Sequence, residues 1–446
     1  MKINVINKGL SCNTRNKIRD LMLTLYIFIF LFGPPFFYKT NYILALISLS
    51  YLIIHNGKFL WIVKKSKMIL WIRCITVLTL YSLLVIGFND ILAHDLVNKE
   101  HYISLFNRYY VFTLIMLSCG SFTIYIIRKW NYTWDDFIEI LVFAALIESA
   151  LTLLSFFNPR IKQIFIFLMS KYGGLSLDEW FFTVRAYGFA STLVDLFGLC
   201  MGIIAGISFL YGFNVKKTYI IYSFIVLVAG VLNARTTVII YLIAIMISVL
   251  TLITHLKIVK LLKIVSIVLI ITGIFYYLLI NVVSTTSPTG GWIKEGFIGI
   301  LDLITGNNSS KKDFSTYLVS AEKWKMPSGI RLLLGTGHSR YEAQGYIHSD
   351  IGYVNDIWFI GLIGASILYG TFIIIGLYAI KKGNTLQRKC VFFVLISAFV
   401  FNIKGCVIGG NMGTWTIFLL LYVTNMIKTS GNICKAYLND YLEFLE

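Results

Sequence analysis

The sequence predicts an all-α polytopic membrane protein with about twelve transmembrane helices and two enlarged loops on its outward face. Three observations predict it. Apolar residues fill 58% of the 446 positions and charged residues only 13%, with a mean hydropathy of +0.78, far from the balance of a water-soluble domain. Apolar stretches of roughly 20 residues, long enough to cross about 30 Å of hydrocarbon, recur along the whole chain. Lys and Arg are dense in alternate turns between those stretches.

Twelve such stretches are read from the chain. They run Asp20 to Tyr38, Tyr42 to Val63, Met68 to Ala93, Tyr109 to Ile127, Phe137 to Phe157 and Gly188 to Gly212. The rest run Thr218 to Leu232, Thr237 to Thr254, Lys263 to Val283, Ile357 to Ile380, Val391 to Ile408 and Gly413 to Ile427. They are apolar on every side, so periodicity adds nothing inside them.

A cytoplasmic N-terminus puts Lys2, Lys8, Arg15, Lys17 and Arg19 inside. The same side then receives the basic turns around Lys64, Arg128, Lys216, Lys257, Lys381 and Arg388. Both termini are therefore expected in the cytoplasm. The net charge of +18 reads as this topology signal plus an affinity for anionic membrane lipids, with no need for nucleic acid. No cleavable signal peptide is expected, because the first apolar run continues into Gly33, Pro34 and Pro35 without a small-residue cleavage site. Seven scattered cysteines without a CxxC read as packing residues rather than disulfides or metal ligands. The chain, 1–446, reads as a single transmembrane domain without internal repeats.

Two outward segments, 158–187 and 284–355, are longer than any turn requires, and long loops in compact membrane proteins tend to carry function. Ile161 to Met169 reads as an interfacial helix in the first. Trp292 to Ile304 reads as an amphipathic helix in the second. Arg185, Arg235, Arg331, Arg340, His338, His348 and Asp350 all fall on this side. Arg235 sits in the turn NART, with almost no room to leave the membrane surface. A guanidinium there can hold phosphate oxygens through paired, charge-assisted hydrogen bonds, or it can snorkel to lipid phosphate.

His348 can take a proton from a hydroxyl, and Asp350 can share or orient that acceptor. Each could equally be a hydrated surface residue. Glu148 and Asp195 fall within apolar stretches, where they must face the bundle interior. Either is part of a polar cavity or half of a structural pair; Asp195, one to two turns below Arg185, is the better site candidate. No Walker A, Rossmann, HExxH, EF-hand or DxD pattern is present, so neither metal nor nucleotide cofactor is expected.

RAYGFASTLVDLFG, NARTT and LLLGTGHSRYEAQGYIHSDIGYVNDIWFIGLIGASILYG, set in this layout of helices and loops, resemble the Wzy-type O-antigen polymerases of bacterial inner membranes, relatives of the O-antigen ligases. The resemblance covers the layout of the whole chain and these three motifs. It implies a metal-independent glycosyltransferase, with the long segments as periplasmic loops. Such an enzyme moves a polysaccharide from undecaprenyl diphosphate to the sugar of an incoming undecaprenyl diphosphate-linked repeat unit. Arg185 and Arg235, with Arg331 and Arg340, would hold the diphosphate. His348 and Asp350 would serve the acceptor hydroxyl, and His338, Tyr353, Tyr341, Trp358 and Asp195 would stand near the sugars. A chain-length regulator and a flippase are the implied partners. Ser349 and Asp350 after His348 depart from the ligase pattern. A ligase, or a flippase or other transporter of lipid-linked oligosaccharides, remains the alternative.

Overall fold

The computed structural model describes residues 16–55, 59–93, 110–172, 184–191, 195–254, 321–337, 349, 351–405, 407 and 412–427, with 288–292 and scattered positions between 259 and 294. Helices and no strand occur among them. In chain order they are α1 (Lys17–Phe32), α2 (Thr40–Ile54), α3 (Phe59–Lys65), α4 (Met68–Ala93) and α5 (Phe112–Lys129). Next come α6 (Trp134–Phe157), α7 (Pro159–Tyr172), α8 (Asp195–Asn214), α9 (Thr218–Asn233) and α10 (Thr236–Thr254). Short α11 (Ile330–Leu334) precedes α12 (Gly352–Lys382), α13 (Thr385–Phe401) and α14 (Met412–Met426).

The polar residues between apolar runs set the helix ends. Thr133 and Asp136 close a capping box at the start of α6, and Asn384 and Gln387 close another at α13. Gly33, in the left-handed conformation, ends α1. Apolar side chains cover the outer surfaces as well as the core. On α4, Val77, Leu80 and Leu84 are exposed while Ile75 and Leu78 are buried. Among the described residues, five helices are long and apolar enough to cross a membrane, six if α2 and α3 form one bent span.

α8 is the centre of the bundle, packed on α9, α10 and α14. Gly198, Gly202 and Gly206 recur every four residues along it. A Cβ on any of them would strike Thr236, Ile240 or Phe393. Small residues at this spacing let two helix backbones approach closely without water to drive them together.

Asp20 to Tyr38 ends as helix at Phe32 and Val391 to Ile408 ends at Phe401, and two further predicted stretches take a different form. Tyr42 to Val63 is not one helix: α2 and α3 meet at 105°, and His55, Asn56 and Gly57, a helix-stopping sequence, stand between them. The sixth stretch does not begin as helix at Gly188. Residues 186–191 are non-helical, and α8 starts at Asp195. Lys263 to Val283 lies outside the described residues except for scattered helical positions. Of the stretch Trp292 to Ile304, only 292 and 294 are described, both helical.

α12 is kinked at Gly361, whose φ of 64° and ψ of −178° interrupt the helix. The carbonyls of Trp358 and Phe359 are thereby released from the helical ladder. They accept instead from the N–H groups of Thr336 at 2.8 Å and Gly337 at 3.0 Å. The sequence GTG, residues 335–337, is thus a strap laid over the kink.

A Cβ at Gly361 would overlap the Leu333 carbonyl, so Gly361→Ala is expected to cost about 1–3 kcal/mol. Gly370, in the same helix, has open space around it, and Gly370→Ala should be neutral or slightly stabilising. Thermal unfolding of the two variants in detergent measures the difference; equal midpoints would contradict this account of the kink.

Candidate functional site

The RAYG and NART motifs meet at one end of the bundle. The last carbonyls of α9 have no donor within their own helix. Leu232 O accepts the Ala186 N–H at 3.0 Å, and Asn233 O accepts Arg185 Nη1 at 3.0 Å. Asn233 Nδ2 returns a bond to Ala186 O at 3.1 Å. A guanidinium at a helix C-terminus also meets the favourable end of the helix dipole. Arg235 follows within the two-residue turn, Ala234 and Arg235, between α9 and α10.

Both guanidinium groups stand over one indole ring. The Arg185 Cζ lies 4.9 Å from the Trp292 ring centroid and the Arg235 Cζ 4.3 Å from it. Arg235 Nη2 also donates to the Trp292 carbonyl. Trp292 is buried, Arg185 is 8% exposed and Arg235 is half-buried. Two unit charges no farther apart than the sum of those two distances repel by at least about 2 kcal/mol at an effective dielectric near 20. A cation–π contact is worth about 0.5–1 kcal/mol when exposed and about 2 or more when desolvated. Two such contacts offset that repulsion. Tyr187 is also buried here; burial holds its phenol above the ordinary value, while the Arg185 charge pulls the other way.

The non-helical backbone is held from behind. Glu148, in α6, is fully buried, and its Oε2 accepts the Phe189 N–H at 3.3 Å. Ser191 N–H donates to Phe32 O, the last carbonyl of α1, at 2.9 Å. Phe189 packs its ring on Phe36 and on Phe165 of α7, which ties α7 to the same segment. Glu148 Oε1 and Thr152 Oγ1 occupy the space where a Cβ at Gly188 would stand. Gly188 is therefore required by close approach to a carboxylate, and Glu148 faces the bundle interior.

The remaining sequence-predicted residues are dispersed or undescribed. Arg331 is exposed on α11, which packs on α12. Tyr353 donates its hydroxyl to Phe399 O at 2.8 Å and packs on the Tyr369 ring; Trp358 Nε1 donates to Lys325 O at 2.8 Å. Asp195 is the first residue of α8, and its side chain lies outside the description. The expectation that Asp195 lies one to two helical turns below Arg185 does not hold, because the backbone after Arg185 is not helical. His338, Arg340, Tyr341, His348 and Asp350 lie outside the described residues.

Sequence reasoning assigned no role to Trp292, to Asn233 within the NART motif, or to Asp356 within the 332–370 motif. Asp356 is fully buried and accepts from the Tyr369 hydroxyl at 2.5 Å, which in turn accepts from Asn402 Nδ2 at 2.7 Å. Asn402 O also takes the Gly352 N–H at 2.8 Å, so this network fixes the start of α12, just after His348 and Asp350. Cys74, Cys119, Cys200 and Cys390 are free and buried, as packing residues would be. No protein-family model and no curated protein matches the chain.

Gly188→Ala is expected to destabilise the protein by driving a methyl group into the Glu148 carboxylate. Removing that carboxylate with Glu148→Ala strands the Phe189 N–H, at a cost of about 1–3 kcal/mol. Once Glu148 is gone, the closest clash is removed and only the Thr152 hydroxyl still crowds the methyl group, so the double variant should lose less than the sum of the single losses. Additive losses of thermal stability in detergent would contradict this packing.

Proposed function

We propose that the protein is an O-antigen polymerase: an inner-membrane, metal-independent glycosyltransferase with about twelve spans, both termini cytoplasmic and two long periplasmic loops. The supporting observation is the convergence of Arg185 and Arg235, from different loops, on the single ring of Trp292. The resemblance of RAYG, NART and the 332–370 segment to that family supplies the chemistry.

In this reading the donor is a polysaccharide on undecaprenyl diphosphate and the acceptor is a sugar hydroxyl of a second lipid-linked repeat unit. The acceptor oxygen bonds to the anomeric carbon as the bond from that carbon to the diphosphate oxygen breaks. The leaving diphosphate gains negative charge, which Arg185 and Arg235 stabilise from fixed positions. The acceptor proton passes to His348, with Asp350 orienting or sharing it. Arg331, Arg340, His338, Tyr353 and Asp195 complete the substrate surface. A chain-length regulator and a flippase are its working partners. The buried, protein-held backbone at 186–191 fits such a site, since irregular chain at membrane depth survives only where protein satisfies it.

Arg185→Ala, Arg235→Ala and His348→Ala should each abolish chain extension while the protein remains at normal abundance in the membrane. Arg235→Lys should recover only part of the activity, because an ammonium has the charge without the two-pronged fork. Lipopolysaccharide gels of complemented deletion strains provide the readout. A polymerase defect leaves lipopolysaccharide bearing one repeat unit, a ligase defect leaves none, and long chains from all three alanine variants would refute the assignment.

A further inference from the structure

We infer that Trp292 is the positioning residue of the diphosphate site: its indole face holds the two guanidinium groups together, so that both reach one pyrophosphate. The inference rests on the diphosphate reading and adds to it a residue from the second long segment. Three contacts carry it. Arg185 and Arg235 stand 4.9 and 4.3 Å from the same ring centroid, so their separation cannot exceed the sum of those distances. Arg235 is also anchored to the backbone carbonyl of Trp292 itself.

The two arginines reach the ring from different stretches of chain. Arg185 arrives on the non-helical chain stitched to Leu232 and Asn233. Arg235 arrives from the turn that follows. The Asn233 carbonyl takes one guanidinium and the Trp292 carbonyl the other, while like charges drive the two apart. The buried indole supplies the shared surface, and its π face attracts both cations. Thr289 and Gly290, one helical turn before it, are also buried, so the ring is presented from a packed segment. With the ring in place, one lipid bearing two phosphates meets two fixed cations. Without it, each cation binds a single phosphate on its own.

The discriminating property is therefore preference for diphosphate over monophosphate. Full-length protein in nanodiscs of phosphatidylethanolamine and phosphatidylglycerol is titrated with undecaprenyl diphosphate and, separately, with undecaprenyl monophosphate. Wild type should bind the diphosphate at least about tenfold more tightly, and Trp292→Phe, which keeps an aromatic face, should stay within about threefold of that ratio. Trp292→Leu should bring the ratio to about one, and adding Arg185→Ala to it should weaken diphosphate binding no further than Arg185→Ala alone. Trp292→Met serves the same purpose if the leucine variant does not fold. A Leu or Met variant that discriminates as wild type does overturns the role of Trp292 alone. A wild type that does not discriminate overturns the diphosphate reading itself, and this inference with it.

Discussion

Backbone N–H groups at residues 186, 189 and 191 lie off the helical ladder, and in an apolar surround each must find an acceptor or cost several kcal/mol. The acceptors come from three different helices. Leu232 of α9 takes the first, Glu148 of α6 the second and Phe32 of α1 the third. That requirement explains why a carboxylate stands at full burial, why Gly188 has no side chain, and why α1, α6 and α9 end or pass at one level. It also fixes where Arg185 enters the bundle, since Arg185 continues the same chain.

From that anchor the electrostatics follow. A helix end offers free carbonyls, and an arginine side chain satisfies one of them while complementing the dipole. A second arginine in the adjoining turn raises the local positive charge, which the indole of Trp292 partly offsets. The start of α12 is built differently: Asp356, Tyr369 and Asn402 form a hydrogen-bonded network there.

Much of the helical layout was legible because length and apolarity decide it. Met68 to Ala93 was read with the bounds that α4 has, and the NART turn is as short as it reads. Glu148 was read as inward-facing because lipid excludes the alternative. Other features resist reading in principle. Whether an apolar stretch enters the bundle as helix or as irregular chain depends on acceptors more than forty residues away, as with Phe189 and Glu148. Gly335 and Gly337 have meaning only beside a kink at Gly361. Trp292 looks like the first residue of an amphipathic helix, because no local pattern records that two arginines meet its ring. Asp356 lies in a glycine-spaced run whose partners, half-buried Tyr369 and buried Asn402, come from other turns and another segment.

The central claim is that the two guanidinium groups over Trp292 receive one lipid-borne pyrophosphate. A cryo-electron microscopy structure of the protein in nanodiscs with undecaprenyl diphosphate tests it most directly. The account predicts density for both phosphates against Arg185 and Arg235, at the α9–α10 turn. Phosphate density at any other place in the bundle, with those two side chains still covered, would contradict it.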